Sequence, residues 1–196
     1  MSKDSRGNDL SAVRVPITGK FAWAPLDEAN VVTAADGGDP AFVLSEDYPA
    51  YKVLGLFKKD GGREDTAETS EATEFFQEGY KLIGDTTAKS KVTIAESSQD
   101  NIEFVRGLKF DSNHHAYVSD AFRMGQFIGF AETLFRNGDI ERMCGVAQIV
   151  AATDDKDERG TPKGTALEIE WMNSPLFGGA KYSRWSIPAT PATPGA

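Results

Sequence analysis

The sequence has almost no cysteine and no long apolar run. Cys144 is the single cysteine among 196 residues, so no disulfide can form within the chain. Because disulfides are typical of oxidising compartments, we expect this protein to assemble inside a cell. No run of about 18 apolar residues is present, so we expect no membrane insertion. The polar start, MSKDSRGNDLSA, lacks the apolar core of a secretory signal.

Histidine is equally scarce, and no catalytic motif is present. The two histidines are adjacent, His114 and His115, and adjacent side chains diverge on a strand or a helix, which disfavours one shared metal. The sequence contains no Gly-x-Ser-x-Gly elbow, no P-loop and no Gly-x-Gly-x-x-Gly. We therefore predict no enzyme activity, no metal site and no cofactor.

Two other features have structural rather than chemical interpretations. Cys144 lies among Met143, Val146 and Ile149, which indicates a small buried hydrophobe rather than a nucleophile. The acidic run 154–158 lacks the spacing and central glycine of a calcium loop, so it is interpreted as a solvated turn. The net charge of −9 repels a phosphate backbone, which disfavours tight nucleic-acid binding.

Alternating apolar residues predict a mainly β protein. Asn137-Gly138 stands between two apolar runs, which is a strong hairpin signal. Leu167–Trp171 alternates between an apolar and an acidic face. The run 51–57 is apolar on both faces, so a second cover is needed, and another subunit is one candidate for it.

One helix is expected after a serine cap at Ser97 or Ser98. Ile102, Val105 and Leu108 would form its apolar stripe, with Gly107 in its interior. The predicted fold class is therefore an antiparallel β-sandwich or barrel with one flanking α-helix. We divide the chain into a flexible N-terminal arm (1–11), a β-domain (12–185) and a flexible C-terminal tail (186–196).

A long charged loop is predicted over residues 58–72, which contain no aliphatic side chain larger than alanine. Long connections without secondary structure are uncommon in compact domains and are often functional. An apolar patch follows it, formed by Phe75, Phe76, Tyr80, Leu82 and Ile83. We expect the protein to contact a partner through this loop, and the candidate contact residues are Lys58, Lys59, Asp60, Arg63, Glu64, Asp65 and Glu68.

Five segments occur in an order that resembles one known family. They are 17–25 (ITGKFAWAP), 51–57 (YKVLGLF) with Asp60-Gly61, 91–97 (KVTIAES) before the predicted helix, the Asn137-Gly138 hairpin, and Leu167–Trp171. Together they span roughly residues 12–172 and resemble the major tail protein, or tail tube protein, of long non-contractile-tailed bacteriophages, especially those of actinobacterial hosts. The acidic tract 154–158 and the proline-rich C-terminus have no counterpart in this resemblance.

The resemblance implies a structural virion protein that is assembled in the host cytoplasm. Its copies would form hexameric rings that stack into the tail tube, the conduit for genome ejection. Loop 58–72 would supply contacts between the rings. The implied partners are other copies of the chain, the tape measure protein, the tail terminator and the distal tail or baseplate proteins. DNA would pass without specific binding. Glu168 and Glu170 are candidates for a bore-facing or solvent-facing acidic surface.

Other functions remain open at this point. The inner tube of a bacterial contractile injection system would share the fold and differ in cargo. A monomeric ligand-binding β-barrel would need an enclosed apolar cavity and no assembly. An enzyme would need an acid–base pair that no spacing among the thirty acidic residues singles out.

Overall fold

The computed structural model describes residues 5–77, 79–82, 84–118 and 125–189, with Ser11 described by its backbone alone. Ten strands lie in these ranges: β1 (Pro16–Pro25), β2 (Lys52–Val53), β3 (Glu64–Thr69), β4 (Thr73–Glu74), β5 (Lys81–Leu82), β6 (Thr86–Ile94), β7 (Phe127–Phe135), β8 (Ile140–Asp154), β9 (Thr165–Trp171) and β10 (Tyr182–Ile187). The helices there are α1 (Ala34–Gly38), α2 (Leu44–Asp47) and α3 (Gln99–Arg106), with 3-10 turns at Leu10–Ala12, Glu28–Asn30 and Pro175–Phe177. No helix within these ranges has the length and apolar character needed to cross a membrane.

Eight of these strands form one antiparallel sheet, in the order β2-β1-β7-β8-β9-β6-β3 with β10 also paired to β8. The long strand β8 makes this branching possible. Its residues 140–147 pair with β7, residues 140–145 also pair with β10, and residues 147–154 pair with β9. The prediction of a mainly β, antiparallel fold is confirmed, and α3 is the expected flanking helix.

Residues 54–58, which follow β2, close one side of the curved sheet in the manner of a barrel. The Leu54 amide donates to the Phe21 carbonyl of β1 at 2.9 Å, and the Lys58 amide donates to the Thr93 carbonyl of β6 at 2.9 Å. Phe57 also forms a bridge to Ile94. The segment therefore joins two strands that are far apart in the order of the sheet.

The two clearest strand predictions are confirmed. Asn137-Gly138 forms the turn of the β7–β8 hairpin, and Gly138 has a φ of 87°, which glycine adopts without a Cβ penalty. On β9 the apolar face is buried through Leu167, Ile169 and Trp171. The Trp171 indole donates to the Ser90 hydroxyl at 2.9 Å, so its polar group is satisfied inside the core.

The core lies on both faces of the sheet. The first cluster fills the space enclosed by the curved sheet and α3 and includes Phe21, Phe104 and Trp171. The second cluster lies on the opposite face of β1, β7 and β8, where Val32, Phe42, Leu44 and Tyr51 from segment 26–51 cover Ile128, Phe130, Cys144 and Val146. In this part of the sheet, segment 26–51 of the same chain therefore covers the second face.

The run 51–57 differs from its predicted strand. Only Lys52–Val53 pairs as a strand, and Gly55 then reverses the backbone with a φ of 83°. Leu56 is 70% exposed as a result, instead of lying on a covered face. The sequence pattern could not predict this because glycine occupies both ordinary strand conformations and positive φ.

Helix α3 begins as predicted and ends earlier. The Ser98 hydroxyl accepts from the Asn101 amide, so Ser98 is the N-cap. Gly107 is the C-cap, with a φ of 62°, and not an interior residue. Phe104 and Val105 are buried, whereas Ile102 lies at the exposed edge, because Phe104 stacks on Trp23 with ring centroids 4.1 Å apart.

The predicted domain ends need adjustment. Strand β10 runs to Ile187, so Ser186 and Ile187 belong to the sheet and not to a tail. At the other end, Leu10–Ala12 forms one 3-10 turn. Residues 1–4 and 190–196 of the two predicted arms lie outside the described residues, and the flexibility of both arms stays a prediction.

Gly55 offers a first test of this arrangement. A Cβ there would clash with the carboxylate of Glu96, and the backbone φ is positive. We expect Gly55→Ala to lower the free energy of unfolding by about 1–3 kcal/mol in urea titrations. Gly62→Ala is the matched control, since a Cβ added at Gly62 would meet nothing within 4 Å beyond its chain neighbours. Equal stability of the two variants would contradict the positive-φ turn that places Gly55 against Glu96.

Candidate assembly surface

The predicted loop 58–72 is partly a strand. Residues 64–69 form β3, which pairs with β6 from Glu64↔Lys91 to Thr69↔Thr86. The loop prediction is therefore wrong for these residues, because backbone pairing at a sheet edge does not require apolar side chains. We call residues 64–86, which run out along β3 and return to β6, the arm.

The arm ends in a small hairpin of its own, which we call the tip: β4, β5, Phe75, Phe76 and Tyr80. Its strands pair through Thr73↔Leu82 and Glu74↔Lys81, and the Phe75 amide donates to the Tyr80 carbonyl at 3.1 Å. A two-stranded hairpin is marginally stable alone, so a further contact would stabilise this one.

Large apolar side chains of the tip face solvent. Phe76 is 102% exposed, and Phe75, Tyr80 and Leu82 are also exposed. Ile83, predicted to belong to the same patch, lies outside the described residues. A soluble monomer rarely exposes large apolar side chains together, and such patches usually mark interaction surfaces.

A second surface with exposed apolar side chains lies between β1 and residues 54–58, the segment that closes the sheet. It is a groove of about 570 Å³. Its apolar lining is formed by Ile17, Leu56, Phe57 and Phe135. Leu56 is presented on fixed backbone, because its amide donates to the Glu96 carboxylate at 3.0 Å and its carbonyl accepts from the Ala95 amide at 2.7 Å.

Arg63 lies in the wall of this groove with one nitrogen unsatisfied. Its side chain is only 9% exposed. Nη2 donates to Glu141 and Nε lies 3.1 Å from Asp65, but the buried Nη1 has no acceptor among the residues that the structure describes. An unpaired buried donor costs about 1–3 kcal/mol, so Arg63 adds less to stability than its two carboxylate contacts alone would suggest.

Glu141 anchors this region by binding three arginines. Besides Arg63, its carboxylate accepts from Arg184 of β10 at 2.8 Å and lies 3.7 Å from Arg14. Burial raises the pKa of Glu141, but the hydrogen bonds and charge interactions with Arg184 and Arg63 together lower it by more. The net shift of the pKa is therefore downward. One carboxylate therefore joins the N-terminal segment, the base of the arm and β10.

The predicted contact residues divide into two groups. Lys58, Arg63 and Asp65 make contacts within the subunit: Lys58 binds Asp155 at 2.6 Å, and Asp65 accepts from the Ser90 hydroxyl at 2.6 Å. The remaining residues are exposed, namely Lys59, Asp60, Glu64 and Glu68. The aromatic tip lies beyond the predicted loop, and the apolar patch after it was the sequence signal for it.

The predicted acidic face of β9 is largely neutralised. Lys89 Nζ lies 2.6 Å from Glu168, Lys91 lies 3.9 Å from it, and Glu170 stands opposite Lys89 in the strand register. The hydrogen bond from Lys89 lowers the pKa of Glu168, and the same bond raises the pKa of Lys89. The face therefore alternates in charge, and its orientation towards a bore or solvent stays a prediction.

The other chemistry-bearing residues have structural roles. Cys144 is fully buried in the second cluster, and burial raises the pKa of its thiol. In the acidic tract, Asp154 binds Arg106 at 2.6 Å and Asp157 binds Lys163 at 2.8 Å. No group of three or more histidine, cysteine, aspartate or glutamate residues within the described ranges is placed to hold a metal ion.

Two solved structures are similar to this chain. The first is the tail tube of SPP1, a hybrid solid-state NMR and cryo-EM structure, with 11% identity, coverage of 79% of this chain and 75% of that chain, and a TM-score of 0.41. The second is the baseplate of the anti-feeding prophage, a cryo-EM structure, with 11% identity, coverage of 90% and 97%, and a TM-score of 0.43. No family model and no curated protein matches the sequence.

Proposed function

We propose that this chain is the structural subunit of a phage tail tube, polymerising as stacked rings around a conduit for the genome. The observation that carries the proposal is the aromatic tip, which is held away from the core and exposes Phe76 completely. Exposed aromatic side chains of this size gain free energy when a partner covers them. A partner that is another copy of the chain would make the tip a polymerisation contact.

The edges of the sheet support repeated assembly. Strands β3 and β10 each pair with one neighbour among the described strands, so neither has a second strand partner within the subunit there. A contact between two different surfaces of identical subunits repeats from copy to copy, and it produces either a closed ring or an open filament. A tube built from stacked rings requires two such contacts, one within rings and one between them.

The tube proposal also draws on the order of segments that resembles tail tube proteins, with six subunits in each ring. The net charge of −9 for each chain suits a conduit, because DNA near an acidic wall is repelled within a Debye length of about 8–10 Å. On this proposal the subunit belongs to a siphophage virion and meets the tape measure, terminator and distal tail proteins.

Negative-stain electron microscopy tests the proposal directly. The purified chain is concentrated stepwise, and its mass distribution is followed in parallel by analytical ultracentrifugation. We expect rings and tubes of uniform bore, with sixfold class averages of end views. A monomer that persists at all concentrations, even when preformed distal tail complexes are added, would contradict the proposal.

A further inference from the structure

We infer that Asp139 is a clasp for both ends of the chain, so that residues 13–15 (the N-segment) and residues 186–189 (the C-segment) are released together and not one at a time. Asp139 lies at the turn of the β7–β8 hairpin, directly before the start of β8. Arg14 and Ser186, which are 172 residues apart in sequence, meet beside this carboxylate. The inference concerns the single subunit and does not depend on the proposed assembly.

The N-segment has three contacts with the hairpin. The Nε atom of Arg14 donates to Oδ2 of Asp139 at 3.0 Å, and the guanidinium carbon lies 5.5 Å from the centre of the Phe135 ring. The Arg136 amide donates to the Val15 carbonyl at 2.8 Å. Hydrogen bonds between charged groups are roughly twice as strong as those between neutral groups, so the bond to Asp139 is the main polar anchor of Arg14.

The C-segment reaches the same carboxylate through its other oxygen. The Ala189 amide donates to Oδ1 of Asp139 at 3.0 Å. Ala189 also packs on the turn, since a Cβ added at Gly138 would lie 3.0 Å from the Ala189 methyl. Strand β10 ends with Ile187 opposite Ile140, so the chain passes the hairpin turn directly after its last strand.

Arg14 also ties the two segments to each other. Its Nη2 atom donates to the Ser186 hydroxyl at 2.7 Å while its Nε atom holds Asp139. A carboxylate that Arg14 has already fixed needs little further ordering to accept from the Ala189 amide, and hydrogen bonds that share one group strengthen one another. The hydrogen bond from the Ala189 amide lowers the pKa of Asp139, and Arg14 lowers it further, so the clasp is ionised at neutral pH.

Glu141 is the more distant carboxylate partner of Arg14. It lies 3.7 Å from the Nη1 atom of Arg14, and it accepts hydrogen bonds from Arg63 and Arg184. Asp139 is therefore the group that couples the two ends. Loss of its contacts would free both segments in one cooperative step, whereas two separate anchors would release each segment on its own.

Hydrogen exchange at two single amides tests the coupling, with the chain kept dilute so that the single subunit is observed. The Arg136 amide reports on the N-segment, because its acceptor is the Val15 carbonyl, and the Ala189 amide reports on the C-segment. In Arg14→Ala we expect the Ala189 amide to exchange at least fivefold faster, although its acceptor Asp139 is still present. In Asp139→Ala we expect the Arg136 amide to exchange at least fivefold faster, although the Val15 carbonyl is unchanged.

Arg106→Ala is the matched control. The Arg106 side chain is 31% exposed, close to the 34% of Arg14, and it also binds one aspartate, Asp154, at 2.6 Å. Exchange at both reporter amides should stay within twofold of wild type in this variant. The amides of the β7–β8 pairing report on global stability, and they should keep their wild-type exchange rates in every variant.

Faster exchange in Arg14→Ala at the Arg136 amide alone would overturn the inference, because the two ends would then be held independently. Unchanged exchange at both amides would overturn it as well. If the β7–β8 amides also exchange faster, Ser186→Ala decides, since it removes only the exposed hydroxyl that joins Arg14 to the C-segment. We expect at least twofold faster exchange of the Arg136 amide in Ser186→Ala, and no change there would contradict the coupling.

Discussion

Replacing residues 72–83 with Asn-Gly is expected to abolish polymerisation and leave a folded subunit. The truncation removes the tip at the point where the two sides of the arm already meet, since the Ser70 amide donates to the Asp85 carbonyl at 2.9 Å. Asn-Gly forms the tight turn that joins antiparallel strands. The β3–β6 pairing below this point is unchanged, so the core keeps its contacts.

Thermal unfolding measures whether the truncated subunit is folded, and sedimentation measures whether it polymerises. The described residues of the removed segment are exposed, so we expect the melting temperature to change by less than about 4 °C. Polymer in the sedimented fraction should fall to background. Tubes of normal length from the truncated chain would show that the arm is not needed for assembly.

A full-length control separates the apolar contact from the length of the arm. It replaces Phe75, Phe76, Tyr80 and Leu82 with serine and keeps every backbone position. We expect this variant to stay monomeric like the truncated one, because the free energy of the contact comes from burying apolar surface. Polymerisation of the serine variant alone would instead assign the contact to the backbone of the hairpin.

Local sequence signals predicted the parts of the fold that local physics determines. Asn137-Gly138 specified a hairpin because few residues other than glycine tolerate its backbone. Leu167–Trp171 specified a strand because one face is buried and the other is not. Ser98 capped α3 for an equally local reason, the hydrogen bond to the Asn101 amide.

The candidate surface depends on contacts that no local pattern encodes. Strand β3 has no apolar alternation, because it is an exposed edge that is specified by its partner β6. Arg63 meets Glu141, which is 78 residues away in sequence. Its unsatisfied Nη1 becomes visible only when its neighbours are placed. Sequence reasoning therefore found the region of the arm. The role of its charged residues as contacts stays a prediction, while the exposure of the aromatic tip is seen only in the structure.

Glu141→Gln is expected to destabilise the subunit by about 3 kcal/mol at neutral pH, which is the order found when one partner of a buried ion pair is removed. Glu141 is 7% exposed and faces Arg63, whose side chain is 9% exposed, so the substitution removes one of the two carboxylates that compensate this poorly solvated guanidinium. Urea unfolding measures the loss. Glu68→Gln on the exposed side of β3 is the control, with an expected change within about 0.5 kcal/mol.

The pH dependence of stability in the wild type and in Glu141→Gln distinguishes the loss of a charge from a loss of packing. The pKa of Glu141 is lowered in the folded state, so its contribution is fully present above the unfolded-state value of about 4.3 and is lost as pH falls through the folded value. The difference in unfolding free energy between wild type and Glu141→Gln should therefore shrink as pH falls below about 4. A difference that stays constant into acid would mean that the glutamine costs stability through packing, and that the carboxylate charge does not hold Arg14, Arg63 and Arg184 together.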